Sequence, residues 1–396
     1  MQIKATRYLA PLLLVSGLAS TAVGVGTAGA TATAHKTPVV TVSSFTRTFS
    51  AMATLKPLVT SGSGKVAVIL PDTVSSARYT EFDAPYLTTA LTTAGLTKAQ
   101  IIVQNAQGSD STEYTDAQSD ISNGAKVLIM DPLDSGTGAK IESYAKSHGV
   151  PVIDYDRITL GGSRKYYVSF NNVRVGQLIG NGFVTCVTNW KVAKPNVVVM
   201  AGAATDNNAT LFSQGYNGVL QSYFSSGKYV KVATPAGTWT PDVAETEFQQ
   251  AYTAHKNINS AVVPNDENAA PIITYLKSLH IPAKTFPITG QDATLAGLQN
   301  ILSGYQCGTV YKPIYLEAQA AASLAVYLRA GVAPPAGLVN GSTADGKTNV
   351  PSVLLTPEWV TSANMNATII ADKFVPASLL CAKTFASLCK AAGIKS

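Results

Sequence analysis

Charged, amide and aromatic side chains occur in short groups along the chain, and most of these groups directly follow a run of β-branched and other apolar residues. In order, the groups are Asp72 with Arg78 and Tyr79, Asp156-Arg157, Asp206-Asn207-Asn208, Trp239, Asn265-Asp266, Gln291-Asp292, and Lys312. If the apolar runs are strands of an open α/β sheet, ligands bind beyond their carboxyl ends. These groups are therefore the first candidates for a binding site.

The residue types in these groups favour a sugar as the ligand. Each sugar hydroxyl donates and accepts hydrogen bonds, so carboxylates that alternate with guanidinium, ammonium and amide groups suit it well. An aromatic ring such as Trp239 or Tyr79 can pack on the apolar face of a pyranose. A structural alternative remains for single residues, because Asp72, Asp206 or Asp266 could cap the helix that follows, and Trp239 could pack between lobes.

Other kinds of chemistry find little support in the sequence. Gly62-Ser63-Gly64-Lys65 is similar to a phosphate-binding loop, but it precedes a strand and Val66 replaces the magnesium-binding Ser or Thr. The four histidines have no ligand partners at metal-site spacing, and there is no Gly-x-Ser-x-Gly motif. We therefore expect no metal and no cofactor. A pair of carboxylates for glycoside hydrolysis stays open, since such residues need only meet in space.

Short apolar runs alternate with helix-length segments, which predicts repeated βα units. The predicted strands are 65–71, 100–105, 125–130, 151–155, 165–170, 196–201, 230–234, 260–264, 286–290 and 308–311. The two halves are alike, because residues 151–156 match 287–292 in pattern. The predicted fold class is α/β, with two doubly wound parallel-sheet lobes. The chain is expected to cross between them near 169–173, 304–313 and 351–356, which makes a multi-stranded hinge.

Residues 1–34 have the pattern of a secretory signal peptide, with Lys4 and Arg7 before an apolar stretch and small residues at its end. Cleavage is expected after Ala30 or Ala34, and an uncleaved anchor is the alternative. The formal net charge is +6, with 13% charged and 46% hydrophobic residues, which excludes a disordered chain and a nucleic-acid-binding surface. We expect an exported protein, periplasmic or extracellular, whose lead segment spans 35–64.

The chain has four cysteines, Cys186, Cys307, Cys381 and Cys389, and none has metal-site spacing. Export permits disulfides, and three connectivities are possible if all four pair. Cys381 and Cys389 lie in an extension, 375–396, and could close a turn. If 377–391 were one straight helix, however, their separation of about 12 Å would exceed disulfide reach.

Several short motifs resemble the type I periplasmic sugar-binding proteins of ABC transporters, and most closely their D-xylose-binding members. The motifs are Ser76-Ala77-Arg78-Tyr79, Tyr155-Asp156-Arg157, Asp206 to Phe212, Pro264-Asn265-Asp266, Gly290-Gln291-Asp292-Ala293, Val310-Tyr311-Lys312-Pro313 and Leu355-Thr356-Pro357. Their order and spacing over about 65–374 make the resemblance specific. It implies a first lobe of 65–170, completed by about 309–330, and a second of 171–308, completed by about 331–374.

The resemblance also implies a clamp that closes on one monosaccharide, D-xylose or a related aldose, and delivers it to a membrane permease. The residues that would hydrogen-bond the sugar are Arg78, Asp156, Arg157, Asn208, Asn265, Asp292 and Lys312. Asp206 would contact or orient it, and Trp239 would stack on the ring. Tyr79 stands where the xylose binders have another tryptophan, and this departure leaves the sugar open. The family implies a monomer with no catalytic activity.

Three alternatives follow from the same residues. A secreted carbohydrate-active enzyme could use cleft carboxylates such as Asp156 and Asp292. A sugar carrier could serve a sensory receptor instead of a permease. A sugar-responsive repressor could have the same two lobes, but a signal peptide stands where its DNA-binding helices would lie.

Overall fold

The computed structural model describes residues 37–395 of the chain. Its strands are Lys65–Leu70 (β1), Ile101–Asn105 (β2), Ala125–Met130 (β3), Val152–Tyr155 (β4), Tyr166–Phe170 (β5), Asn196–Val199 (β6), Val230–Ala233 (β7), Ser260–Val262 (β8), Thr289–Gln291 (β9), Gly308–Tyr311 (β10), Gly341–Ala344 (β11), Asn349–Leu355 (β12) and Glu358–Val360 (β13). All the strands predicted from the sequence are present, and β11 to β13 are additional.

The helices fill most of the gaps between strands, as the alternating pattern predicts. The α-helices are Lys56–Ser61 (α1), Ala84–Thr93 (α2), Asp110–Ser122 (α3), Ser135–Ser147 (α4), Asn172–Asn189 (α5), Asn207–Ser225 (α6), Pro241–Ala254 (α7), Asp266–Ser278 (α8), Leu295–Leu302 (α9), Ile314–Arg329 (α10), Ala377–Leu380 (α11) and Ala386–Ala391 (α12). A π-helical turn, Tyr79–Asp83, leads into α2. No described helix is long and apolar enough to cross a membrane.

The first lobe is a seven-stranded sheet in the order β11-β12-β5-β4-β3-β1-β2, in which only β11 runs antiparallel to its neighbour. Successive side chains of a strand point to opposite faces. Val127 and Ile129 of β3 accordingly lie in one apolar cluster, and Leu128 and Met130 lie in another. Because both faces are buried under helices, the strand is apolar at almost every position.

The second lobe contains the strands β7-β6-β8 and β13-β10-β9, which a single parallel bridge between Ala261 and Ile288 joins edge to edge. All of these strands are parallel except β13. The predicted fold class of two doubly wound parallel lobes is therefore confirmed.

The chain passes between the lobes after β5, after β10 and after β12, so the hinge has several strands. The sequence places about 331–374 in the second lobe, and this is wrong for β11 and β12, which pair with β5 in the first sheet. The sequence also places about 309–330 in the first lobe, whereas β10 pairs with β9 of the second. The cause is that the sheet each of these strands joins depends on where the chain crosses between the lobes, which local sequence patterns do not encode.

The lead segment is part of the first lobe. Phe45, Phe49 and Met52 are buried in the main apolar cluster. Tyr327 on α10 donates a hydrogen bond of 2.7 Å to the Pro38 carbonyl oxygen. The predicted signal peptide, 1–34, lies outside the described residues.

Both pairs of cysteines form disulfides, Cys186–Cys307 and Cys381–Cys389. The second pair is possible because 377–391 is not one helix. The chain turns between α11 and α12, which brings the two Cα atoms to 5.7 Å. Cys186 lies on α5 and Cys307 directly precedes β10, so the first bridge ties a helix of the second lobe to its sheet.

The two disulfides should stabilise the fold unequally, because the entropy that a bridge removes from the unfolded chain grows with loop length. The loop between Cys186 and Cys307 spans 121 residues and that between Cys381 and Cys389 spans 8. Replacing the first pair by alanine should lower the free energy of unfolding by about 4 to 5 kcal/mol, and the second by about 2 to 3 kcal/mol. Urea unfolding of both double variants measures this, and an equal or reversed ranking would contradict it.

Candidate functional site

A narrow cavity lies between the carboxyl ends of the two sheets. It brings together every site residue predicted from the sequence, namely Arg78, Tyr79, Asp156, Arg157, Asp206, Asn208, Trp239, Asn265, Asp292 and Lys312. Ser75, Ser76, Phe212 and Gln291 also line it. Parallel strands bring their following loops to one edge of each sheet, and the hinge turns these two edges toward each other.

Arg78 begins the π-helical turn after β1 and is buried among carboxylates. Its guanidinium forms a two-point ion pair with Asp83, with both distances 2.8 Å. It also lies 2.9 Å from Asp156 Oδ1 and 2.6 Å from Glu317 Oε2. Burial raises the pKa of Glu317 to about 8, and Arg78 counteracts this. Arg78 therefore fixes the Asp156 carboxylate at the cavity wall.

Arg157 faces acids from both lobes. Its Nη2 donates to Tyr79 Oη at 3.1 Å and to Ser75 Oγ at 3.2 Å. Its Nε lies 3.5 Å from Asp206 Oδ2 in the second lobe and 3.8 Å from Asp131 Oδ1 beneath it. Asp131 is fully buried and neither of its oxygens accepts a hydrogen bond from a described group. Burial, reinforced by nearby Asp156, raises the pKa of Asp131 well above its usual value, and Arg157 opposes the shift.

Asp156 and Asp292 occupy equivalent places in the two lobes. The backbone N–H of Asp156 donates to the Val168 carbonyl on the next strand, and that of Asp292 donates to the Val310 carbonyl in the same way. Both aspartates have left-handed backbone, with φ of 56° and 86°. A non-glycine residue in this conformation costs roughly 1 to 3 kcal/mol, and such strain clusters at functional sites. This conformation turns both carboxylates into the cavity.

Lys312 joins these two aspartates. Its Nζ lies 3.0 Å from Asp292 Oδ1 and 3.8 Å from Asp156 Oδ1. Burial favours the neutral amine, but the two carboxylates outweigh it and raise the pKa of Lys312. Burial likewise opposes ionisation of Asp156, but Arg78, Lys312 and Arg157 together lower its pKa. The cavity wall therefore holds charged groups of both signs at neutral pH.

Asp206 caps a helix, as one of the two sequence interpretations expects, and it also holds the tryptophan. Its Oδ1 accepts from the Asn208 N–H at 2.8 Å at the start of α6, and its Oδ2 accepts from Trp239 Nε1 at 3.0 Å. The indole also packs closely over Gly202, where a Cβ would lie 2.1 Å from the ring. Phe212 meets it edge-on, with ring centroids 6.4 Å apart. Trp239 is thus held as a fixed wall of the cavity.

The two predicted asparagines connect the lobes. Asn208 Nδ2 donates to the Asp156 carbonyl at 3.0 Å. Asn265 caps α8 through its Oδ1 and donates through Nδ2 to the Ser75 carbonyl at 3.3 Å. Each amide therefore reaches from the second lobe to a loop of the first.

The structure brings further residues to the site that the sequence did not assign to the sugar. Gln291, which the sequence places among the strand-end groups, lines the cavity with a buried side-chain oxygen that has no hydrogen-bond partner among the described residues. Asp131 also directly follows a strand, β3, and could have been found in the same way. Glu317 gave no such signal, because it lies inside the apolar helix α10. Among residues 37–395 no cluster of potential metal ligands occurs.

Asp266 supports the loop that carries Asp292. Its carboxylate accepts from Gln306 Nε2 at 2.7 Å, from the Thr294 N–H at 2.9 Å and from Thr309 Oγ1 at 3.1 Å. Burial raises the pKa of Asp266 to about 7 even though these hydrogen bonds lower it. The folded state therefore binds a proton at this residue more tightly than the unfolded state does.

A buried acid of this kind makes stability depend on pH in a defined direction. The stabilisation is complete below the unfolded pKa, about 3.9 for Asp. It is lost as pH rises through about 7, the folded pKa. The difference in free energy of unfolding between wild type and Asp266→Asn should therefore change steadily between these pH values. Urea unfolding across the series measures it, and a constant difference would contradict the assignment.

Known proteins resemble this chain over most of its length. A family model described as periplasmic binding protein domain matches residues 66–332. The D-xylose-binding periplasmic protein of Escherichia coli (strain K12) is 36% identical over 278 residues, which cover 70% of this chain and 82% of that protein. The multiple sugar-binding periplasmic protein SbpA of Azospirillum brasilense is 28% identical over 353 residues, covering 83% and 96%.

A solved structure shows the same likeness in three dimensions. It is a carbohydrate transporter solute binding protein from Chloroflexus aurantiacus in complex with D-glucose, with a TM-score of 0.71 and 27% identity, and the match covers 79% of this chain and 97% of that one. The family model spans more than half of the chain, and the Escherichia coli protein is matched over most of its length. The chain, with its two lobes and its polar cleft, belongs to the periplasmic binding protein family.

Proposed function

We propose that this protein is an exported sugar-binding component of an ABC transporter, which captures one monosaccharide in the cleft and delivers it to a membrane permease. The observation that carries the proposal is the composition of the cavity. Arginine, lysine, carboxylate and amide groups from both lobes surround it, and an indole forms one wall. Charge-assisted hydrogen bonds to vicinal hydroxyls suit such a set.

The arrangement of these groups supports closure as the binding mechanism. Asp156 and Arg157 belong to the first lobe, whereas Asn208 and Trp239 belong to the second. A sugar that contacts both sets gains more free energy in the closed state than in an open one. A ligand shifts such an equilibrium only by this difference in affinity.

D-xylose or a related aldose is the proposed ligand. The Escherichia coli relative is named for D-xylose, and the Chloroflexus aurantiacus structure holds D-glucose. These sugars differ by one hydroxymethyl group, and the fit of a single extra methylene against an apolar surface is worth only about 1 to 3 kcal/mol. Tyr79 is the residue that we expect to set the choice, because it lines the cavity and its hydroxyl accepts a hydrogen bond from Arg157.

The proposed setting is outside the cytoplasm, with a monomeric carrier and no cofactor. The relatives named above are periplasmic by name, and the signal-like residues 1–34 agree with export. The matched family and relatives are binding proteins, which favours binding over the secreted-enzyme alternative. One relative, from Rhizobium radiobacter, is named a multiple sugar-binding periplasmic receptor, so a sensory role stays a second candidate.

The direct test is a titration of the purified mature protein with D-xylose, D-glucose, D-galactose, D-ribose, L-arabinose and myo-inositol. Calorimetry gives the affinities, and tryptophan fluorescence reports on Trp239, the only tryptophan that lines the cavity. We expect at least one aldose to bind and the fluorescence change to vanish in Trp239→Phe. Binding of none of these sugars would contradict the proposal.

A substitution at Asp292 tests whether the residues assigned to the site bind the sugar. Asp292→Ala removes a carboxylate and leaves Lys312 with its more distant partner Asp156. We expect the bound sugar to lose on the order of 2 to 4 kcal/mol of binding free energy. Asp242→Ala, which removes an exposed carboxylate on α7, is the matched control and should bind normally. Wild-type affinity in Asp292→Ala would overturn the assignment.

A further inference from the structure

Glu267, at the start of α8, holds the two lobes together beside the cavity. Its Oε1 lies 3.0 Å from Ser76 Oγ and 3.2 Å from the Ala77 backbone nitrogen, both in the first lobe. Its Oε2 accepts from Asn265 Nδ2 at 3.0 Å. Glu267 does not line the cavity itself, and sequence analysis gave it no role.

The contacts of Ser76 require a second proton. Its Oγ lies 3.0 Å from Glu267 Oε1 and 3.2 Å from Asp292 Oδ2. A serine hydroxyl has one hydrogen, so it can donate fully to only one of these oxygens. If both acids were ionised, two negative groups would converge on one donor. If Glu267 is protonated, it donates to Ser76 Oγ and Ser76 donates to Asp292, and every contact is satisfied.

The charges around Glu267 favour its neutral form. Lys312 pairs with the other acid, Asp292, at 3.0 Å. Among residues 37–395 no lysine, arginine or histidine forms an ion pair with Glu267. Glu267 lines an open groove beside the cavity, together with Phe82 and Phe374. The nearby groups are mostly acidic, with Asp266 on its own helix and the exposed Glu81 in this groove.

The remaining cation near this groove is already engaged. Arg78 lines the groove, but its guanidinium is shared by Asp83, Asp156 and Glu317. Burial first, and then Asp292 and Asp266, raise the pKa of Glu267 well above its usual value. Hydrogen bonding to Ser76 opposes this rise without cancelling it.

We propose that Glu267 is a positioning residue that joins the lobes in its protonated form, so that closure on a sugar takes up a proton. This inference rests on the proposed sugar-binding function. Glu267 is only partly buried when the lobes are together. When the lobes separate, it loses its contacts with Ser76 and Ala77 and gains more water, while Asp266 and Asp292 stay beside it in the second lobe. The pKa of Glu267 should then fall, so closure binds a proton wherever the pH lies between the pKa of the open state and that of the closed state.

The consequence is a defined pH profile for sugar affinity. Within that window the affinity should rise up to about tenfold for each unit by which the pH falls, because one proton is taken up for each sugar bound. Glu267→Gln keeps the side-chain shape and a donor toward Ser76 but cannot titrate. It should bind the sugar with little of this pH dependence.

The experiment is isothermal calorimetry with the sugar panel above, at about pH 6.5, which lies above the usual pKa of Glu. Each titration is repeated in phosphate and in imidazole buffer, whose ionisation enthalpies differ, so that the buffer-dependent heat counts protons. Wild type should take up more protons per sugar than Glu267→Gln, by up to about one. Glu81→Gln, which removes the exposed acid of the same groove, is the control and should match wild type.

The outcomes separate this inference from the proposed function. If a sugar binds and wild type and Glu267→Gln take up equal numbers of protons, the role of Glu267 is overturned and sugar binding stands. The same holds if Glu267→Gln keeps the full pH dependence of affinity. If no sugar of the panel binds to any variant, the proposed function fails and this inference fails with it.

Discussion

The cleft depends on the requirement that buried charges be paired. Arg78, Arg157 and Lys312 are each at most 6% exposed. A buried cation is tolerated only when carboxylates and hydrogen bonds replace water. The carboxylates come from different loops of both lobes, so pairing these three side chains fixes the positions of the loops. The same charged groups can form hydrogen bonds with sugar hydroxyls, because each hydroxyl offers both a donor and an acceptor.

The two lobes have similar folds, and this repetition places the charged groups of the cleft at equivalent positions. Each lobe ends one strand in an aspartate with left-handed backbone, Asp156 in the first and Asp292 in the second, and Lys312 lies between them. The backbone strain is repeated at equivalent positions. This favours a shared functional cause, because strain persists only where the surrounding structure imposes it. The hinge then brings the two sites face to face as one.

The sequence was sufficient to predict most of the side chains that line the cavity, because strand ends are local features. Apolar runs mark β1 to β10, and the polar residues after them meet by topology. The buried residues and strands that support the cavity were harder to predict from the sequence. Glu317 looks like part of an apolar helix, and Pro351 within β12 argues against a strand, because proline cannot donate to the hydrogen-bond ladder. The Cys186–Cys307 pairing depends on a distance that only the folded second lobe defines.

A sugar that contacts both lobes should close them over the charged cleft. Small-angle X-ray scattering of the mature protein, with and without the sugar that binds most tightly, measures this closure. We expect a smaller radius of gyration with the sugar, because a bridging ligand shifts the population toward the closed state. An unchanged radius of gyration at saturating sugar would mean that binding occurs without closure and would overturn this mechanism.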